Sequence, residues 1–408
     1  MSLKKKILIL GGNELNVLSI KEANNYGFET YVVDKNPNSP GFQVAHQPIV
    51  EDIINNEAIY NQIKNIGIDG IVTMAEVGIK TKAWLDNILQ LKNGLTLTAA
   101  QNVTSKAAMR NLWNKIPEYS VPYLVVDNLI DAINAVDTLN IFPLIIKPDK
   151  SFGGSRGVSK ITEHNQIDNA FSFASEASFN KKVVIEKCAE GNEFSCEVLI
   201  YQKQTSVLAI GQKVKSPEPY RVDFSVQYPA QLNKEQIDLI KDMCQKAILL
   251  LGIDNGVAHV EFAYSPTGPI LFEIGARCGG GHTPIIAKNV SGINEFIEYC
   301  NISCGLHPSN FHPKYQKGVE YRFIVFPPGN IKEIEISPNI FENENVIDLV
   351  MTAKIGNKIL PIKTTSDRIG CLVTKGNSIE DAINTSNWAC QNIIIYYDDN
   401  TKSNALTL

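Results

Sequence analysis

Residues 259–282 read HVEFAYSPTGPILFEIGARCGGGH. Two apolar runs flank Ser265-Pro266-Thr267-Gly268, a cluster of turn-forming residues, so the stretch predicts a β-hairpin. Glu261 and Glu273 lie near its two ends, and antiparallel pairing brings both carboxylates onto one face. Isolated acids there would repel each other, and a shared cation resolves the repulsion. Hard oxygen donors suit Mg2+, which also takes phosphate oxygens and water. Arg277 follows Glu273 by four residues, with a planar fork of donors matched to phosphate or carboxylate. Gly279, Gly280 and Gly281 then expose backbone amides able to bind an anion.

The rest of the chain supplies a frame. Runs at 6–10, 29–34 and 68–74 read as buried strands with helical patterns between them, such as Leu15 to Tyr26. This alternation predicts a doubly wound parallel sheet over residues 1–95. The first turn, GGNELN, lacks the G-x-G-x-x-G spacing, which disfavours a nicotinamide dinucleotide even though Asp34 ends the second strand. A helical connector (96–119) carries Lys106 and Arg110. A small α/β unit (120–187) has strands at 121–126, 142–147 and 182–186. Strands at 194–214 and 257–274 bracket a helix from Lys234 to Leu251 in a central unit (188–307). A β-rich unit (308–408) has strands near 319–326 and 346–355 and a helix near 378–392.

Two further stretches carry chemistry. In IIKPDKSFGGSRGV (145–158) a strand delivers Lys147, followed by Ser151, Gly153, Gly154, Ser155 and Gly157. Glycines let backbone N–H groups surround phosphate oxygens while a fixed lysine neutralises them. This is not a P-loop, because no G-K-[ST] follows the glycines. In VVIEKCAEGNEFSCEVLI (183–200) a strand ends in Glu186-Lys187, and a short connector through Ala189 leads to Glu193 and a new strand. Such a connector is a slot for a flat heterocycle, with backbone groups for the adenine edge and a carboxylate for ribose hydroxyls.

Taken together, these stretches resemble the ATP-grasp superfamily over essentially the whole chain. The resemblance implies an α/β and α+β multidomain protein: an N-terminal Rossmann-like domain, an ATP-grasp lid and central subdomain, and a small β-rich C-terminal domain. It implies that Lys106 and Lys147 hold the nucleotide phosphates beneath a lid of Ser151 to Gly157. Adenine would lie against Glu186, Lys187 and Ala189, with ribose on Glu193 and metal on Glu261 and Glu273. Arg277 and Lys213 would face the phosphates. Many members read E-x-N-x-R, whereas this chain reads E-I-G-A-R, with Gly275 in place of an asparagine ligand. That form, followed by glycines, is similar to L-amino-acid ligases and related carboxylate–amine ligases. There the arginine and glycine loop are implied to hold substrate carboxylate and acyl phosphate. The stretch 215–230 is expected as a loop over the acceptor site, with Tyr220 and Arg221 touching substrate.

The implied reaction is phosphorylation of a carboxylate by ATP, with Mg2+ or Mn2+, and attack of an amine on the acyl phosphate. His282 is the candidate general base. Rival readings are other ATP-grasp activities (phosphoribosylglycinamide synthesis, a biotin-carboxylase-like step, a carbamoyl-phosphate-type half), a nucleotide sensor, and a nicotinamide oxidoreductase. The net charge of −5 argues against a general nucleic-acid binder, and no run approaches the roughly 18 apolar residues of a membrane span. Eight cysteines without a C-x-x-C pair read as reduced thiols in a cytoplasmic protein. Branch members often pair, so a homodimer is expected.

Overall fold

The computed structural model describes residues 4–151, 156–217 and 220–407. The N-terminal unit is a parallel sheet in the spatial order Gln47–Val50, Glu29–Asp34, Lys6–Leu10, Gly70–Thr73. Three of its strands, Lys6–Leu10, Glu29–Asp34 and Gly70–Thr73, are buried on both faces, as parallel strands under crossover helices are. The fourth member, Gln47–Val50, escapes sequence reading because only Ile49 is buried. The turn after the first strand is occupied by the protein itself. The Gly12 N–H donates to Asp34 at 2.9 Å, and a Cβ at Gly41 would lie 2.7 Å from the Gly12 Cα. Asp34 thus secures backbone here, in keeping with the reading against a dinucleotide.

Two short helices, Leu97–Val103 and Lys106–Trp113, lead to the second unit. Its antiparallel sheet runs Tyr123–Val126, Val183–Lys187, Leu144–Pro148, Ser159–Ile161. Helices Leu129–Leu139 and Ile167–Ala177 pack on this sheet through Ala132, Val136, Phe171 and Ala174.

The largest element is an eight-stranded antiparallel sheet. Its order is Gly268–Gly275, Gly256–Ser265, Asn192–Tyr201, Gln204–Lys215, Asp223–Tyr228, Gly318–Phe323, Gly370–Gly376, Val346–Met351. Two expectations change here. The stretch 215–230 is not wholly a loop, since Asp223–Tyr228 pairs with strands on both sides. The boundary expected at residue 308 does not interrupt the sheet, because Gly318–Phe323 continues it. The C-terminal part adds a second antiparallel sheet of Lys358–Ile359, Gly329–Ile336, Ile393–Tyr397 and Lys402–Asn404.

Side-chain alternation divides the large sheet's labour. Phe194, Cys196, Val198, Val260, Phe262 and Ile274 face the helix Lys234–Leu251, whose Ile240, Met243, Ala247 and Ile248 complete one core. That helix starts in a reciprocal capping box between Asn233 and Gln236 and ends at Gly252 in the left-handed region (φ 84°). By parity, Glu193, Ser195, Glu197, Lys213, His259, Glu261 and Glu273 share the opposite face.

Candidate active site

The hairpin places Glu261 directly opposite Glu273. Each carboxylate is answered by a lysine from another element. Lys106, at the start of its helix, lies 3.1 Å from Glu273. Lys213, near the end of Gln204–Lys215, lies 3.2 Å from Glu261. Lys106 and burial oppose each other at Glu273, and the lysine prevails, holding the carboxyl below its usual range. Burial would raise Glu261, but Lys213 and His259 hold it well below. Both acids therefore remain anionic at neutral pH.

Among the described residues no three acid, histidine or cysteine side chains converge into a metal cage. Two facing carboxylates fit magnesium nonetheless, because that ion keeps waters and takes phosphate oxygens rather than needing an all-protein shell.

Arg277 reaches back to the first unit. Its Nε donates to Glu76 at 2.9 Å and its Nη1 to the Cys278 carbonyl at 2.8 Å. Glu76 sits just beyond the carboxyl end of the strand Gly70–Thr73, where ligands of parallel sheets bind. Burial lifts the Glu76 carboxyl while Arg277 pulls it down. A Cβ at Gly275 would come within 3.2 Å of the Glu76 carboxylate and 3.4 Å of Arg277 Cγ. A side chain at this position would stand close against the Glu76–Arg277 pair.

The remaining expected residues are distributed as follows. Lys147 lies 2.6 Å from Glu186, which also accepts Arg110 in a two-pronged contact at 2.7 and 2.9 Å. Burial opposes the charge on Glu186, but Arg110 and Lys147 outweigh it and hold the carboxyl at about 2. The Glu186 side chain is therefore committed to the interior, and its segment presents backbone, an exposed Lys187 and a half-buried Ala189 to the connector. Glu193 pairs with Lys215 at 2.6 Å and Arg221 at 3.1 Å. Tyr220 is exposed, with Lys363 5.8 Å above its ring. Ser151 is half-buried; Gly153, Gly154 and Ser155 lie outside the described residues. Gly280 is exposed, and Gly281 turns through φ 68° against the Tyr321 hydroxyl.

His282 differs from its expected setting. It is buried, with Nε2 2.6 Å from Asp348 and its ring edge-on to Tyr321. Burial would depress the imidazolium, but Asp348, helped by Cys371, holds it up at about 9. With its proton held that firmly, the ring would have to release it before serving as a base.

Sequence reasoning missed Glu76, Glu197, Asp223, His259 and Arg368. Glu76 lies 201 positions from its partner, Arg277. Asp223 accepts Lys215 at 2.7 Å and stands 3.6 Å from Arg368. The Arg368 guanidinium lies 3.6 Å over the Phe323 ring. No local signal marks such pairs.

Comparison with known proteins places this geometry. A ribonucleotide synthetase preATP-grasp domain model matches residues 4–93, an ATP-grasp domain model residues 140–286, and an L-amino acid ligase C-terminal domain 2 model residues 322–398. The chain contains an ATP-grasp domain. L-amino acid ligase from Bacillus licheniformis superposes with a TM-score of 0.83 at 22% identity, covering 98% of this chain and 100% of that one. Phosphoribosylglycinamide synthetase from Anaerococcus prevotii gives a TM-score of 0.78 at 20% identity over 97% and 100%. Formate-dependent phosphoribosylglycinamide formyltransferase of Saccharolobus solfataricus is 24% identical over 93% of this chain and 94% of its own length. The hairpin acids, Lys147 and the Glu186–Ala189 connector all fall within the matched ATP-grasp segment, while Lys106 precedes it.

Proposed function

We propose that this protein is an ATP-dependent carboxylate–amine ligase that joins a small carboxylate to an amine, an amino acid among the candidates. The observation that carries the reading is the facing pair Glu261–Glu273, each acid neutralised by its own lysine, beside Arg277 and the glycine loop. Phosphoryl transfer asks a protein for position and positive charge more than for covalent help. Lys106, Lys147 and Lys213 supply the charge along the nucleotide, and Glu193 suits the ribose hydroxyls. Glu261 and Glu273 would hold Mg2+, which when bound neutralises phosphate oxygens during transfer. Recruitment of nucleotide would draw Lys106 and Lys213 from the acids toward the phosphates.

The chemistry balances in two steps. A carboxylate oxygen attacks the γ-phosphorus and ADP departs, leaving an acyl phosphate. The amine nitrogen then attacks the acyl carbon, the carbon–oxygen bond breaks, and phosphate leaves with the oxygen that came from the acid. Arg277 and the amides of Gly280 and Gly281 suit the oxyanion that develops in the second step. Tyr220 and Arg221 would lie on the acceptor side.

The match of residues 322–398 to an L-amino acid ligase domain favours amino-acid substrates. The near full-length match to a formate-dependent enzyme favours the rival in which formate, the smallest carboxylate, is activated for a phosphoribosylglycinamide amine. A coupled ADP-release screen across carboxylate and amine pairs, formate included, separates them. ADP release stimulated by an acid–amine pair supports the ligase, and release indifferent to every pair contradicts it. All eight cysteines are free and no helix among the described residues could cross a membrane. These features accord with the cytoplasmic setting we propose, and we also propose a homodimer, which sedimentation would test.

A further inference from the structure

Glu197 lies in the middle of the strand Asn192–Tyr201, with a side chain that has no solvent exposure. A buried carboxylate must be paired or it destabilises the fold, yet no lysine or arginine meets this one among the ion pairs of the described residues. The buried carboxyl of Glu295, in the helix Glu295–Ser303, lies beside it, and the two other partners of Glu197 belong to parts of the active site. One oxygen accepts the Gly279 N–H at 3.0 Å, at the head of the glycine loop. The other lies 2.7 Å from His259 Nδ1. The far ring nitrogen of His259, Nε2, lies 3.3 Å from Glu261. Packing at this junction leaves no slack. A Cβ at Gly279 would sit 2.6 Å from Glu197, 2.7 Å from His259 and 2.7 Å from the Thr283 hydroxyl.

We infer that Glu197 is a positioning residue that fixes the glycine loop to the metal-holding hairpin, through Gly279 on one side and His259 on the other; this rests on the ligase reading of the site. A carboxylate suits the task because both oxygens are engaged and charge-assisted bonds hold geometry tightly. Groups behind a metal carboxylate orient it and tune its affinity. Glu197 does this for Glu261 by way of the imidazole. By the same linkage it sets where the loop amides stand relative to the ion. The bland alternative is a buried polar pair that stabilises the sheet and nothing more.

The test is ADP binding to the full chain by titration calorimetry, in EDTA and across a series of Mg2+ concentrations, for wild type, Glu197→Gln and His259→Gln. The expected result is metal-free ADP affinity close to wild type, with the Mg2+ concentration for half-maximal enhancement raised roughly tenfold in each variant. The double variant should be no worse than the singles, since both act along one path. Variants that respond to Mg2+ as the wild type does overturn the inference while leaving the ligase reading intact. If Glu197→Gln does not fold, His259→Gln alone decides, because it removes the link while keeping the strand's glutamate. A wild type whose ADP binding ignores Mg2+ overturns the ligase reading, and this inference with it.

Discussion

At the scale of single residues, the acids divide into two kinds, one buried and one partly open. Glu186 is fully engaged by Arg110 and Lys147 inside the protein, whereas Glu273 faces Glu261 at the site. Glu186→Ala strands two buried cations and should destabilise the chain by about 3–5 kcal/mol, read from chemical denaturation. Glu273→Ala should leave a folded protein with ADP release at background. Wild-type turnover in that variant would overturn the metal assignment. The sequence exposed Glu273 because a turn signal and two apolar runs fix its hairpin locally. It concealed the duty of Glu186, because Arg110 lies 76 positions away. Arg277 was legible as an anion-binding group, but its tie to Glu76 was not. Gly275 lies close against that pair.

Among the elements, those with strong periodicity or turn chemistry could be read in advance. The helix Lys234–Leu251 carries its capping residues, and the hairpin closes at the expected Ser265 and Gly268. Asp223–Tyr228 is legible too, since its sequence DFSVQY alternates polar and apolar residues as a strand does, and the expectation of a loop there comes from the family resemblance alone. The strand's place depends on neighbours from distant parts of the chain. The segment after the glycine loop makes a pH prediction. Asp348, on the edge strand Val346–Met351, raises the buried His282 from 6.5 to about 9. A raised folded value means that the pair's contribution is fully present below pH 6.5 and fades as pH climbs through about 9. Asp348→Asn should therefore cost up to about 3 kcal/mol near pH 6 and little near pH 10, followed by thermal melts. An equal loss at both pH values would show that the ion pair is not the cause.

On the scale of the whole molecule, the site is a meeting of three parts of the chain. The first unit contributes Glu76, the central sheet contributes the acids, and the same sheet runs on into strands beyond residue 308. Arg368, from the C-terminal part, touches Asp223 beside Lys213 and Lys215. Such a site can be sensed in a sequence through its separate stretches, but its closure depends on contacts between residues some 150 to 200 positions apart. The central claim is that an acid is activated by ATP before an amine takes it. Its most direct test labels both carboxylate oxygens of the active acid with oxygen-18 and examines the phosphate released on ligation by mass spectrometry. The account predicts one labelled oxygen in each phosphate, carried over when the acyl phosphate breaks. Phosphate bearing only oxygen from ATP and water would contradict it.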